Sequence, residues 1–426
     1  MRVPCCFKLQ GTRTEGGTCP RGAFPVCHGR DAAYLALAVT IPLKPAVRIH
    51  RRIAELERAD WDGCAPSGAG YNPFVAFDFL DALEQSGSVG DRTGWAPHHL
   101  SVEDEAGQVA AVMPLYLKSH SQGEYVFDWS WADAYERAGG RYYPKLQCAA
   151  PFSPVTGPRL LVRPDIDPDE GRQTLLGGAL TLCERLGASG LHVTFPDRDD
   201  WRFLTGAGLL PRQDQQYHWF NNRYGTFEDF LAALSSGRRK TIRRERRDAQ
   251  ASVDEIVGLT GAALTEEHWD AFYAFYQDTG GRKWGSPYLN RAFFSMLGAR
   301  MADQVLLVMA RKNGRWVAGA LNLIGGDCLF GRNWGCVENI PFLHFELCYY
   351  QAIEHAIRLG LPRVEAGAQG QHKIARGYLP AEVYSAHWIA DPGLREPVRR
   401  YLDQERTAVR QEMDWLAEEY SPFKAG

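Results

Sequence analysis

Apolar residues recur at helical spacing in Phe345, Cys348, Tyr349, Ala352, Ile353, Ala356 and Leu359, and Gly360 stands where a left-handed C-terminal cap belongs. The pattern predicts a helix over 344–359. After Pro362 the run Arg363-Val364-Glu365-Ala366 is short and bounded by turn residues, so a strand is expected, followed by a loop broken at Gly367 and Gly370. The same order occurs earlier in the chain. Leu175, Ala179, Leu182, Cys183 and Leu186 form an apolar stripe, Gly187 ends it, and Leu191-His192-Val193-Thr194-Phe195 reads as a strand. Residues 169–195 thus repeat the pattern of 342–366.

The upstream segments agree with a duplication. Residues 99–102 and 109–118 flank an acidic turn at 103–107, and residues 305–311 and 316–323 flank a basic turn at 312–315. Both read as antiparallel hairpins with solvated turns. A polar stretch at 196–214 separates the copies, and the alternation Gln215, Tyr217, Trp219 opens the second. The expected organisation is a first α/β unit at 47–205 and a second at 206–426. Residues 1–46 lack periodic apolar positions and are expected to be a disordered extension.

Composition narrows the class. A chain of 426 residues, 45% hydrophobic and 23% charged, suits two globular cores. The net charge of −3 argues against wholesale nucleic-acid binding but leaves room for a local basic patch. The longest apolar run, 32–43, falls short of the roughly 20 residues of a spanning helix. Asp31 interrupts its junction with the basic residues before it, so a signal peptide fits poorly and a cytoplasmic location is expected. Cys5, Cys6, Cys19 and the pair Cys27-His28 lack the short Cys-x-x-Cys spacing of a zinc site, so no metal is expected. The remaining, scattered cysteines read as buried thiols of a reducing compartment.

Candidate chemistry concentrates at 363–380. Glu365, Gln369, His372, Lys373 and Arg376 surround a glycine-broken turn, where backbone N–H groups can approach a ligand and the side chains supply proton transfer and anion binding. Glu365 could take a proton if burial raises its pKa, whereas His372 titrates near neutrality without tuning. Seven basic residues within 238–247, Arg239, Lys240 and Arg243 among them, could hold phosphate along a helix, or form a solvated face paired with Glu245 and Asp248. The aromatic and acidic run at 128–145 suits a sugar or a peptide amine, with Asp133 and Lys145 as its polar candidates, although its tryptophans also suit a core. Arg332, Asn333 and Trp334 follow an apolar strand. Glu346 and Tyr350, four apart on the next helix, could line the same cleft.

Three segments carry a family resemblance: Pro151-Phe152-Ser153-Pro154-Val155-Thr156-Gly157-Pro158-Arg159, the basic stretch 235–247, and 365–377. Over 47–424 the chain resembles the FemAB-like proteins of peptidoglycan biosynthesis or recognition, tandem relatives of the GNAT acyltransferase fold. The resemblance implies two GNAT-like mixed-sheet domains with a cleft between them, and transfer of an activated acyl or aminoacyl group to an amine such as a cell-wall precursor or amino acid derivative. It implies acceptor binding near Gly157-Pro158, and Thr156, Gly157 and Arg159 of that segment, with Gln369 and Gly370, are expected to bind substrate. It also implies that Lys373 has a counterpart in the family's lysine-rich loop, although His372 stands first here. The donor would be acyl-CoA or an aminoacyl-tRNA, with no intrinsic cofactor. Arg332-Asn333-Trp334-Gly335-Cys336-Val337 comes near the GNAT pyrophosphate loop but lacks its final small residue. The alternative is a non-catalytic recognition protein that holds a cell-wall peptide or RNA.

Overall fold

The computed structural model describes residues 3–4, 43–283, 287–367 and 370–424. Most of the N-terminal extension, with Cys5, Cys6, Cys19 and Cys27, lies outside the described residues, and so does Gln369. Both predicted helix-to-strand units are present. Pro168–Leu186 is a helix that begins on Asp167, whose carboxylate accepts the N–H groups of Asp169 and Glu170, and ends at Gly187 with φ 59°. Its partner in the repeat runs from Leu343 to Arg358 and ends before Gly360, φ 68°. That second helix contains a π-helical turn, Glu346–Tyr350, which turns both Tyr349 and Tyr350 inward.

The strands assemble into a mixed sheet of eleven. From one edge the order is Glu255–Leu259, Val305–Lys312, Arg315–Ile324, Cys328–Cys336, Arg363–Glu365, Leu210–Phe220, Leu379–Ile389, Gly190–Thr194, Lys145–Cys148, Leu115–Lys118 and Trp95–Pro97. Two long strands fill its centre, Leu210–Phe220 and Leu379–Ile389, and pair antiparallel from Leu210 with His387 to His218 with Leu379. Only the second of them crosses between the copies as bounded at 205/206. Leu210–Phe220 lies beside Arg363–Glu365, and Leu379–Ile389 lies beside Gly190–Thr194. The sheet is therefore continuous across both copies.

On either side of this centre the repeat places a parallel pair. Cys328, Leu329 and Phe330 run beside Arg363, Val364 and Glu365, while Leu146, Gln147 and Cys148 run beside Leu191, His192 and Val193. In the former pair the ladder stops at Phe330 and Glu365, yet the longer strand continues to Cys336. The parallel ladder ends at Glu365, with Gly331 packed against the Glu365 carbonyl, which a Cβ there would meet at 3.2 Å.

Local physics modifies several expectations. The strand predicted at 109–118 is broken at Pro114 into Val109–Met113, which joins a separate five-stranded sheet, and Leu115–Lys118, which joins the large one. Residues predicted as an open loop coil into a 3-10 helix, Gln371–Arg376, closed by Gly377 at φ 93°. The near match to a pyrophosphate loop is overturned as well. Arg332 to Cys336 lie in a strand, where Gly335 admits the backbone of Phe275, which a Cβ would meet at 2.4 Å. One core joins the two copies, with Phe74 edge-on to Phe330 at 5.3 Å and Phe79 to Phe293 at 5.8 Å.

Candidate active site

The segment 151–159 packs against Glu365. Its Thr156 N–H reaches Glu365 Oε2 at 3.4 Å, and its Phe152 carbonyl accepts from the Arg332 guanidinium at 2.7 Å. Gly157 is required here because a Cβ would meet the Asn72 amide at 2.2 Å, and that amide donates to the Thr156 carbonyl at 3.0 Å. Glu365 is 2% exposed. Its Oε1 has the Arg363 guanidinium at 3.7 Å, beyond hydrogen-bond reach, and no hydrogen-bond partner among the described residues. Thr156 Oγ1 is likewise buried without a partner. Burial raises the Glu365 carboxyl to about 7, against the lowering pull of Arg363 and the Thr156 N–H.

Lys373 projects from the 3-10 helix into the buried end of the same strand. Nζ donates to the Ala366 carbonyl at 2.6 Å and the Gly367 carbonyl at 2.9 Å, and desolvation lowers its pKa to about 8. An ammonium carries three donors, and among the described residues these bonds engage two of them. Exposed His372 bonds through Nε2 to the Tyr349 hydroxyl at 3.0 Å, and its pKa is lowered by desolvation and by the charges of Arg376 and Lys373. Arg376 faces inward instead. It donates to the His372 carbonyl at 2.7 Å and to Glu245 at 2.8 Å, with its guanidinium 3.4 Å from the Phe345 ring centre.

The strand Leu210–Phe220 adds two residues that the sequence reading passed over. His218 pairs with Glu365 in the ladder and so shares its face, as does Gln216 two residues back. The available signal was the alternation of Gln215, Tyr217 and Trp219. Reading these as one face leaves Gln216 and His218 on the other, where burial of two polar side chains calls for a reason.

The family model for FemAB-like proteins, described as peptidoglycan biosynthesis/recognition, matches residues 52–425. The chain belongs to the FemAB-like family. This FemAB-like protein is thereby an acyl- or aminoacyl-transferring enzyme. Among solved structures, FemX superimposes with a TM-score of 0.51 at 11% identity, over 81% of this chain and 98% of FemX. The chain thus shares the mixed α/β fold of FemX. The L-PGS of Bacillus licheniformis gives 0.48 at 10% identity over 81% and 98% of the two chains, and a tandem GNAT protein from the clavulanic acid biosynthesis pathway gives 0.43 at 13% over 82% and 99%. No curated protein matches the sequence.

Within the FemAB-like protein several sequence candidates lie apart from Glu365 or have their polar atoms occupied. Arg159 is fully buried, and its guanidinium is spent on the carbonyls of Thr194, Gly157, Pro158 and Val155. It holds the 151–159 segment in shape, with four of its five N–H donors engaged on these carbonyls. Lys145 is fully buried between Glu124 at 2.6 Å and Asp128, so its charge is neutralised inside the protein, whereas Asp133 stands exposed on the helix Trp129–Arg137. Glu346 accepts from Arg246, Gln250 and Gln351, and Tyr350 donates to Glu245. These two anchor helices to each other. Asn333 and Arg332 border a small apolar cavity of about 20 Å³ with Phe74, Phe79 and Leu321, and Trp334 packs edge-on to His344 at 5.1 Å. Gly370, φ 114°, starts the 3-10 helix, where a Cβ would strike the His372 ring at 2.5 Å.

The basic stretch forms the helix Ser236–Ala251. Lys240 and Arg243 are exposed on it, Arg243 beside Glu228 at 2.5 Å, and Arg239 is half-buried, donating to the Ala232 carbonyl at 3.4 Å. Its inner face is tied to the 3-10 helix through Glu245 and Arg376. Among the described residues no group of three or more His, Cys, Asp or Glu converges as a metal would require, and no helix is long and apolar enough to cross a membrane.

Proposed function

We propose that this FemAB-like protein transfers an acyl or aminoacyl group to a primary amine, with Glu365 as the general base. The observation that carries this reading is the buried Glu365 carboxyl at the end of the parallel ladder, whose Oε1, like the buried Thr156 hydroxyl, has no hydrogen-bond partner among the described residues. Two buried polar atoms without partners are costly unless a substrate's polar group completes them. An acceptor amine does so by donating an N–H to Oε1. A carboxyl poised near neutrality suits the removal of that proton.

The amine lone pair attacks the donor's carbonyl carbon, a C–N bond forms, and the N–H proton passes to Glu365. The donor's C–O or C–S bond then breaks, and its leaving oxygen or sulfur takes up a proton. The third N–H of Lys373 is suited to the oxyanion that develops meanwhile, and its two bonds to Ala366 and Gly367 hold it ready. Arg239, Lys240 and Arg243 supply positive charge for the phosphates of a donor, whether acyl-CoA or aminoacyl-tRNA, on a helix joined to the Lys373 turn. The acceptor class that family membership favours is a cell-wall precursor peptide in the cytoplasm, and the two GNAT-like units are read as 47–205 and 206–426.

A donor screen by mass spectrometry tests this. The protein is incubated with acyl-CoA thioesters or charged tRNA and with cell-wall precursors or amino acids. A mass gain on an amine that disappears in Glu365→Gln is the expected result, and no transfer from any donor would remove the reading.

A further inference from the structure

A network of side chains behind Glu365 fixes the chemistry of its neighbour, His218. The Pro154 carbonyl can only accept, so the Gln216 atom 2.7 Å from it is the amide nitrogen. That bond turns Gln216 Oε1 toward His218, whose Nε2 lies 3.3 Å away. An oxygen acceptor requires a proton on that ring nitrogen. His218 is 4% exposed and burial lowers its pKa to about 3, so the ring is neutral, and the proton on Nε2 leaves Nδ1 as a bare acceptor. The groups whose charge acts on the ring are Arg363 and Lys373, and both disfavour a second proton. The ladder sets this imidazole beside Glu365 on the same face of the sheet.

We propose that His218 is a specificity-determining residue, whose Nδ1 lone pair and Glu365 Oε1 together accept the two N–H bonds of a primary amine and leave its lone pair free to attack. A hydroxyl nucleophile has a single hydrogen and leaves one of the two buried acceptors unpaired, which a polar site rejects strongly. The segment 151–159 sets both acceptors, Glu365 through the Thr156 N–H and His218 through the Pro154 carbonyl and Gln216. The selectivity part rests on the transferase reading above. The tautomer does not.

The test therefore has two arms. In long-range ¹H–¹⁵N spectra of histidine-labelled full-length protein at pH 7.5, His218 is expected as the neutral Nε2–H form, and Gln216→Leu is expected to release that preference. A protonated ring or an Nδ1–H form overturns the proposal whatever the protein catalyses. In the turnover arm, His218→Leu is expected to lower kcat on amine acceptors by about 10²-fold with little change in melting temperature, because the amine loses its orientation. His218→Asn, whose side-chain oxygen occupies the Nδ1 position, should recover most of the rate. Equal losses in the two variants, or full activity in His218→Leu, overturn the assignment.

Discussion

Glu365 receives the backbone N–H of Thr156 at 3.4 Å although the two residues lie in different copies of the duplicated unit. One carboxylate oxygen is therefore positioned by a segment that belongs to the other half of the molecule, and the second has no hydrogen-bond partner among the described residues. The bond also ties the 151–159 segment to the carboxylate. Any movement of 151–159 away from the sheet would release Glu365 together with the Phe152 carbonyl held by Arg332.

The pH dependence of turnover follows from two displaced groups. Glu365 must be ionised to accept a proton, so the rate should rise as pH passes about 7. Lys373 must be protonated to stabilise an oxyanion, so the rate should fall above about 8. A narrow bell is expected in kcat/KM, and Lys373→Arg should move its alkaline limb upward. A flat profile from pH 6 to 9 would contradict both assignments.

Lys145 and Asp133, adjacent candidates in the sequence, should behave in opposite ways. Lys145→Ala leaves Asp128 buried without its cation and Glu124 with only Lys118, at 3.7 Å, a loss of about 3–5 kcal/mol. Asp133→Ala changes an exposed helix position and should stay within about 0.5 kcal/mol of wild type. Chemical denaturation of both variants checks this.

The basic helix should report itself through salt. If it holds donor phosphates, replacing Arg239, Lys240 and Arg243 by Ala should weaken donor binding and flatten its dependence on ionic strength, with kcat at saturating donor little changed. Titrations at low and high salt measure both quantities.

What could be read from the sequence was what depends on local periodicity. The apolar stripes ending at Gly187 and Gly360, the strands after them and Glu365 at the tip of the second all follow from spacing and caps. The pairing of the two central strands does not, because it joins segments more than 150 residues apart on the strength of edges that only the assembled sheet provides. For the same reason charge was a poor guide. Arg159, Lys145 and Arg376 looked like binding groups, but each guanidinium or ammonium is buried and held by carbonyls or carboxylates that the fold brings to it. His218 and Gln216 escaped notice because a buried polar pair on a strand signals function only when its neighbour across the ladder is known.

Glu365 also has a thermodynamic signature. Its folded pKa lies above that of an unfolded glutamate, so the folded state holds the proton more tightly, and stability is full below about pH 4.5 and is lost as pH rises through about 7. The loss amounts to roughly 3 kcal/mol at 1.4 kcal/mol per pH unit. Glu365→Gln removes the titration, so its melting temperature should equal that of wild type at pH 5 and exceed it by a few degrees at pH 8. Scanning calorimetry at the two values checks the sign.

The most direct measurement is the single-turnover rate of Glu365→Gln against wild type at pH 7.5, with the donor and acceptor found by the screen and with melting temperature recorded on the same samples. A general base contributes about 10²- to 10⁴-fold, so the rate should fall by that factor while the melting temperature holds or rises. Wild-type turnover in Glu365→Gln, or a loss that tracks a lowered melting temperature, would contradict the assignment of Glu365 as the base.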